Sequence, residues 1–194
     1  HRGFIGSHLL ESLSSLHEDV ECVGISSDDA DLTKLAEARR LAEYLNARTA
    51  LVFCSAIVKR SIQGNDLESY LQNVVMAANV CKVLEDSPVA NVCYLSTTAV
   101  YGEETHCEAI TEDTPVSPNS HYSLAKYSAE WMLRECLTKR SKGIGPAILR
   151  LPYVYGPGQR EIAGDYGPGM FVRRAISGRK IEMWGDGEER REFM

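Results

Sequence analysis

Several things are scarce in this 194-residue chain, and each scarcity excludes something. No Lys/Arg-rich run stands out: RREF and FVRRA are short and flanked by apolar or acidic residues, and the net charge is −6. Nucleic acid and anionic membrane surfaces are therefore not expected partners. The longest near-apolar run, LVFCSAIV, falls far short of the ~20 residues that span a bilayer, so no membrane segment is expected. No secretory leader is visible, and the expected location is cytoplasmic. The six cysteines (Cys22, Cys54, Cys81, Cys93, Cys107, Cys136) form no Cys-x-x-Cys pair and no Cys/His cluster of metal-ligand spacing. Reduced thiols and no metal site follow as the expectation. No repeat or low-complexity tract is present. What remains, 44% hydrophobic and 25% charged residues, is an ordinary globular composition with enough length for a sizeable core.

Along the chain, strand-like apolar runs alternate with longer helical patterns. The spacing predicts helices over Phe4–His17, Leu32–Asn46, Asp66–Glu85 and Tyr122–Lys139. It predicts strands over Val20–Ile25, Ala50–Ile57, Asn91–Ser96 and Pro146–Leu151, the second apolar on both faces. Glu103–Asn119, with Pro115 and Pro118, reads as a polar loop. Alternating β and α segments predict an α/β fold of the Rossmann type, a doubly wound parallel sheet with helices on both faces. Ligands of such sheets bind beyond the carboxyl ends of the strands. Gly3 and Gly6, Asp31 and Leu32, Ser55 and Ala56, Thr97, and Tyr153 to Pro157 all fall at that edge.

HYSLAKYSAE places Tyr122 and Lys126 one helical turn apart on the same face. An unperturbed Tyr has a pKa of about 10, so a phenol acting as a base near neutral pH needs a neighbouring cation. By itself this spacing is common on surface helices. HRGFIGSHLL has the form of the back half of a Gly-x-x-Gly-x-x-Gly nucleotide turn. Gly3 would allow backbone approach to a pyrophosphate, Gly6 close helix packing, and the helix N-terminal amides would hold phosphates. A plain turn reads equally well from two glycines.

YLSTTAVYG and HYSLAKYSAE together resemble the active site of the extended short-chain dehydrogenase/reductase family, the NAD(P)-dependent enzymes that modify nucleotide sugars. QNVVMAANVCKVLE, LRLPYVYGPG and WGDGEERREF resemble further family segments in the same order. The resemblance implies catalytic roles for Thr97, Tyr122 and Lys126, with Tyr122 as acid/base, Lys126 lowering its pKa and bonding the cofactor ribose, and Thr97 orienting the substrate oxygen. Ser96 and Thr98 are the alternative hydroxyls. It implies cofactor binding by Arg2, Gly3, Phe4, Ile5, Gly6, Asp31, Leu32, Ser55, Ala56 and Asn73, besides Tyr122 and Lys126. Substrate contacts would come from Thr97, Thr98, Tyr153 and Arg191. Asp31 reads equally as a helix N-cap, Asn73 as a mid-helix surface Asn, and Arg191 with Arg190 as a solvated charge cluster.

Thr98 and Ala99 stand where dehydratases of the family carry an Asp-Glu pair, and Ala99 where its decarboxylases carry Glu. GDP-fucose synthase, which the His-Arg-Gly opening and the Trp-Gly-x-Gly ending resemble, uses a Cys at the Ala99 position and a His in the region of Tyr166. None of these groups is present here. The resemblance thus implies a 4-epimerase acting on a nucleotide sugar, with a 4-keto reductase or a fucose-synthase-like epimerase/reductase as the alternative. A catalytically silent dinucleotide-binding regulator is the non-enzyme alternative. For the cofactor, NAD or NADP, Gly24 occupies the position of the usual NAD-selecting acid, Asp28 counts as too far along, and Arg2 is placed to meet a 2′-phosphate; the lean is to NADP. The implied organisation is a dinucleotide-binding domain over residues 1–160, lacking its first strand, and the start of a substrate-binding region over residues 161–194, with most of that region missing. A homodimer through the helices at Asp66–Glu85 and Tyr122–Lys139 is also implied.

Overall fold

The computed structural model describes residues 1–16, 19–58, 67–102, 109–140, 145–159 and 168–182. The elements run α1 (Phe4–Leu16), α2 (Leu35–Ala38) continuing as a 3-10 helix (Arg39–Tyr44), β1 (Ala50–Phe53), α3 (Leu67–Asp86), β2 (Asn91–Thr97), a 3-10 turn (Thr98–Tyr101), α4 (His121–Arg140), β3 (Ala147–Leu151) and α5 (Pro168–Ile176). The three strands form a parallel sheet in the order β1-β2-β3. Ala50 pairs with Asn91 and Phe53 with Tyr94; Cys93 pairs with Ala147 and Thr97 with Leu151. Parallel neighbours need helical crossovers, and α3 and α4 supply them. All three carboxyl ends therefore lie at one edge, as expected for this fold class.

α3 and α4 pack on one another and on the sheet. Leu84 and Leu133 are fully buried between them, with Val80, Val92, Tyr94 and Ala129 in the same cluster. Each such buried aliphatic side chain contributes about 1.5–3 kcal/mol. α4 starts where it does because Ser120 and Ser123 cap it reciprocally: Ser123 N donates to Ser120 Oγ and Ser120 N to Ser123 Oγ, each at 3.1 Å.

Four elements differ from the sequence expectation. Val20–Ile25 forms no strand; Val20 and Val23 are exposed, and no described strand lies beside them to complete a ladder. β1 ends at Phe53 rather than Ile57, and Ile57 bonds Asn73 instead of a strand: Ile57 N donates to Asn73 Oδ1 and Asn73 Nδ2 to Ile57 O, each at 2.8 Å. Its first residue is exposed and only Phe53 is buried, since β1 has β2 on one side and no described strand on the other. The expected Leu32–Asn46 helix shrinks to a single α turn and a 3-10 stretch, preceded by a turn at Asp31. α5 lies where no helix was read, although its ends carry signals. Pro168 opens it, and Gly178 follows it at φ 62°. Gly178 N bonds Ala175 O and Arg179 N bonds Arg174 O, the C-terminal pattern that a left-handed glycine permits. No helix among the described residues is long and apolar enough to cross a membrane. No disulfide joins the five described cysteines; Cys107 lies outside the described residues.

Candidate active site

β2 ends in Thr97, and the chain tightens at once into the 3-10 turn. Thr97 Oγ1 caps that turn by accepting from Ala99 N at 3.2 Å. The bond fixes the hydroxyl's direction and leaves its proton available to a ligand. Thr97 and Thr98 are half-buried, whereas Ser96 is buried and donates to Glu130 Oε1 at 2.5 Å. Of the three hydroxyls read from sequence, Ser96 is thus committed to the interior. Beyond the turn the chain leaves through Gly102 at φ 82°, where a Cβ would come within 2.5 Å of the Ser117 carbonyl oxygen.

α4 carries Tyr122 in its first turn and Lys126 one turn later. Lys126 is 3% exposed. Its Nζ donates to Leu95 O at 2.5 Å and lies 4.3 Å from the centroid of the Tyr94 ring. A carbonyl and a π face stabilise a cation without neutralising it. Burial pushes the Lys126 ammonium down to about 8, with Cys54 and Glu130 pulling the other way. The Tyr94 phenol is pushed up by burial, then by Tyr122 and Glu130. These neighbours tie the start of α4, the end of β2 and the segment after β1 into one locality, which also holds Ser55 and Ala56 next to Cys54. Asn73, read as a cofactor-binding candidate or a mid-helix surface Asn, is buried and clamps Ile57 just beyond them.

α1 begins at the glycine turn. Gly6 is buried against the backbone of His1, where a Cβ would approach within 3.0 Å, while beside Gly3 a Cβ would meet nothing within 4 Å. The first turn of α1, which includes Phe4 and Ile5, carries no acidic residue, so its unpaired amides keep their positive end for an anion. These features fit a pyrophosphate. A Cβ on Gly156 would lie 3.5 Å from Phe4 Cζ, so this turn also adjoins the chain that leaves β3 past half-buried Tyr153.

The loop at residues 24–31 packs beside the glycine turn. Gly24 sits against His1, since a Cβ there would come within 2.5 Å of its ring. Asp28, counted as too distant, forms an ion pair with Arg2 beside the glycine turn. The His1 amino group donates to Ile25 O at 3.1 Å and brings the loop back. Asp31 Oδ1 accepts from Thr33 N at 3.0 Å and Thr33 Oγ1 at 2.7 Å. The Thr33 hydroxyl, foremost, holds its carboxyl below the usual range. Glu37 reaches back to Asp31 N at 3.0 Å, so Asp31 closes a turn that ends at Lys34, the residue before Leu35–Ala38, and Leu32 O accepts from Asn79 Nδ2 at 2.9 Å. Arg191 lies outside the described residues.

Sequence reasoning missed a buried cluster behind the hydroxyl. Glu130 is 0% exposed and pairs bidentately with Arg150 from β3: Nε to Oε1 at 3.0 Å and the second nitrogen to Oε2 at 2.7 Å. Arg150 also donates to the Tyr101 hydroxyl at 2.9 Å and lies over that ring. The available signal was the i,i+4 step from Lys126 to Glu130.

The model of the NAD dependent epimerase/dehydratase family matches residues 1–194. An uncharacterized UDP-glucose epimerase of Bacillus subtilis is 28% identical over 98% of the chain and 65% of its own length. A putative UDP-glucose 4-epimerase of Methanocaldococcus jannaschii is 26% identical over 99% of the chain and 66% of its own length. The chain thus spans about two thirds of the curated relatives it matches. Among solved structures, a UDP-glucose 4-epimerase of Thermotoga maritima with UDP-glucose superposes at a TM-score of 0.81 and 21% identity, over 98% of this chain and 66% of that one.

Proposed function

This chain belongs to the NAD dependent epimerase/dehydratase family, and we propose that it carries the cofactor-binding and catalytic part of a nucleotide-sugar 4-epimerase. The observation behind this reading is a buried Lys126 bonded to the Leu95 carbonyl near the carboxyl end of β2, where the Thr97 hydroxyl caps the next turn, with Tyr122 one helical turn before Lys126 on α4. The names of the two curated relatives support the epimerase form. Residues 1–160 would be the dinucleotide-binding domain and residues 161–194 the start of the substrate-binding region.

A nicotinamide dinucleotide held by the turn at Arg2–Gly6 and by Lys126 supplies the hydride acceptor. The open face of Gly3 and the acid-free first turn of α1 fit its phosphates. Tyr122 takes the proton from the sugar hydroxyl, and Thr97 directs that oxygen toward it. The Lys126 cation favours the Tyr122 phenolate. For an epimerase the proton then returns from Tyr122 after the sugar has turned its other face. Arg2 would meet an NADP 2′-phosphate only after leaving Asp28, whose carboxylate is itself suited to a ribose hydroxyl. The half-exposed Leu71 and Val75 on α3, with Leu124 and Trp131 on α4, suit a homodimer built on these two helices.

The test is interconversion of UDP-glucose and UDP-galactose, together with calorimetry against NAD and NADP. Tyr122→Phe is expected to lower kcat by at least about 10²-fold while cofactor affinity stays within a few-fold. Unchanged turnover in that variant removes Tyr122 from the role.

A further inference from the structure

Tyr122, Lys126, Glu130 and Arg134 follow one another at i,i+4 along α4. Side chains at this spacing lie on one face, with Cβ atoms about 5–6 Å apart. The face carries a phenol, a cation, an anion and a second cation in order. Its interior members are deeply placed: Lys126 is 3% exposed and Glu130 0%. Glu130 accepts from Ser96 Oγ at 2.5 Å, from two nitrogens of Arg150 at 3.0 and 2.7 Å, and from Arg134 at 3.3 Å. Ser96 immediately precedes Thr97, and Arg150 pairs with Ser96 across the β2–β3 ladder. One carboxylate therefore joins α4, β2 and β3 directly behind the candidate catalytic groups.

We propose that Glu130 is a positioning residue of this site, the buried counter-charge that Lys126 faces one helical turn away and, through Ser96, the group that holds Thr97 in register with α4. The proposal deepens the epimerase reading, and rests on it only for what Lys126 does in turnover. The groups facing Lys126 come from every packed element described. Tyr94 and the Leu95 carbonyl come from β2, Cys54 from the chain after β1, and Glu130 from α4; Tyr122 acts on Tyr94, and Arg150 of β3 reaches Lys126 through Glu130. Among these Glu130 is the carboxylate. Replacing it by Gln preserves shape and much of the hydrogen bonding to Ser96 but leaves buried Lys126 and half-buried Arg150 as neighbouring cations. Replacing half-exposed Arg134 by Gln has the opposite sign, because the Glu130 charge is then shared with one guanidinium fewer.

The test follows the Lys126 ε-amine by NMR in the chain labelled with nitrogen-15 lysine, the resonance being assigned by its loss in Lys126→Arg. It needs neither cofactor nor turnover, so its failure is separate from failure of the epimerase reading. The wild-type resonance is expected to titrate near 8. In Glu130→Gln the midpoint moves to lower pH, and in Arg134→Gln to higher pH. A midpoint unmoved in folded Glu130→Gln overturns the proposal. Should that variant not fold, Arg134→Gln decides: an upward shift supports the counter-charge role, and an unmoved midpoint overturns it. If the full enzyme turns over, the alkaline limb of kcat in Glu130→Gln shifts the same way as its midpoint, an effect that a merely structural carboxylate does not produce.

Discussion

Lys126 is a buried cation of the candidate site, and its burial has a thermodynamic sign. Its folded midpoint lies near 8, below the ordinary lysine value of about 10.4. Between those two values the unfolded chain holds the proton that the folded chain has released, so stability rises with pH there. Below about 8 the folded state bears the full cost of a desolvated ammonium. Wild-type protein is therefore expected to gain unfolding free energy relative to Lys126→Met as pH rises from 8 to 10, read by denaturant titration at each pH. A difference that stays constant over that window would mean that the folded chain keeps the Lys126 proton as long as the unfolded chain does, so that burial does not lower its midpoint. Asn73 makes the second residue-scale case. Its amide satisfies the N–H and C=O of Ile57 and also donates to Ser69 O at 2.8 Å. Asn73→Leu leaves these groups without their partner at about 1–3 kcal/mol for each that stays buried. It is expected to lower the unfolding midpoint and to speed hydrogen exchange at Ile57.

At the scale of elements, helices and interior strands were legible because their signals are local. The observed bounds of α1, α3, α4, β2 and β3 lie within one or two residues of those read from sequence. Periodicity, the prolines at 88 and 146, and the apolar runs were enough. Three segments were not legible for one shared reason. Val20–Ile25 has strand composition but lacks a described ladder partner, β1 stops at Phe53 while Ile57 bonds Asn73, and Leu32–Asn46 tightens where Asp31, Thr33 and Glu37 bond one another. Each outcome was set by a hydrogen-bond partner that the segment's own periodicity does not encode. α5 shows the reverse case, since its Pro168 and Gly178 signals were present and went unread. The site divides in the same way. Thr97, Tyr122 and Lys126 were readable as motif positions, whereas Glu130 with Arg150, and Arg2 with Asp28, needed partners 20 and 26 residues away.

For the whole molecule, the exposed face of the two long helices carries the next prediction. Leu67, Leu71 and Val75 recur every four residues on α3, and Trp131 is exposed on α4. Clustered exposed apolar residues of this kind mark interaction surfaces. With α3 and α4 paired against a second copy, Leu71→Lys combined with Trp131→Glu is expected to convert a dimer to a monomer by light scattering while the helical circular dichroism is kept. A wild-type chain that is already monomeric at micromolar concentration overturns this assembly. By itself the sequence determined the alternation of strands and helices, the edge at which the candidate residues fall and the pair on α4, since all of these follow from local spacing. The tertiary structure alone decided that Ser96 points inward to Glu130, that Asp28 meets Arg2 and that the Lys126 ammonium is held without a directly paired anion among the described residues. Burial and charge pairing depend on what the rest of the chain brings alongside, and spacing along one segment does not contain that.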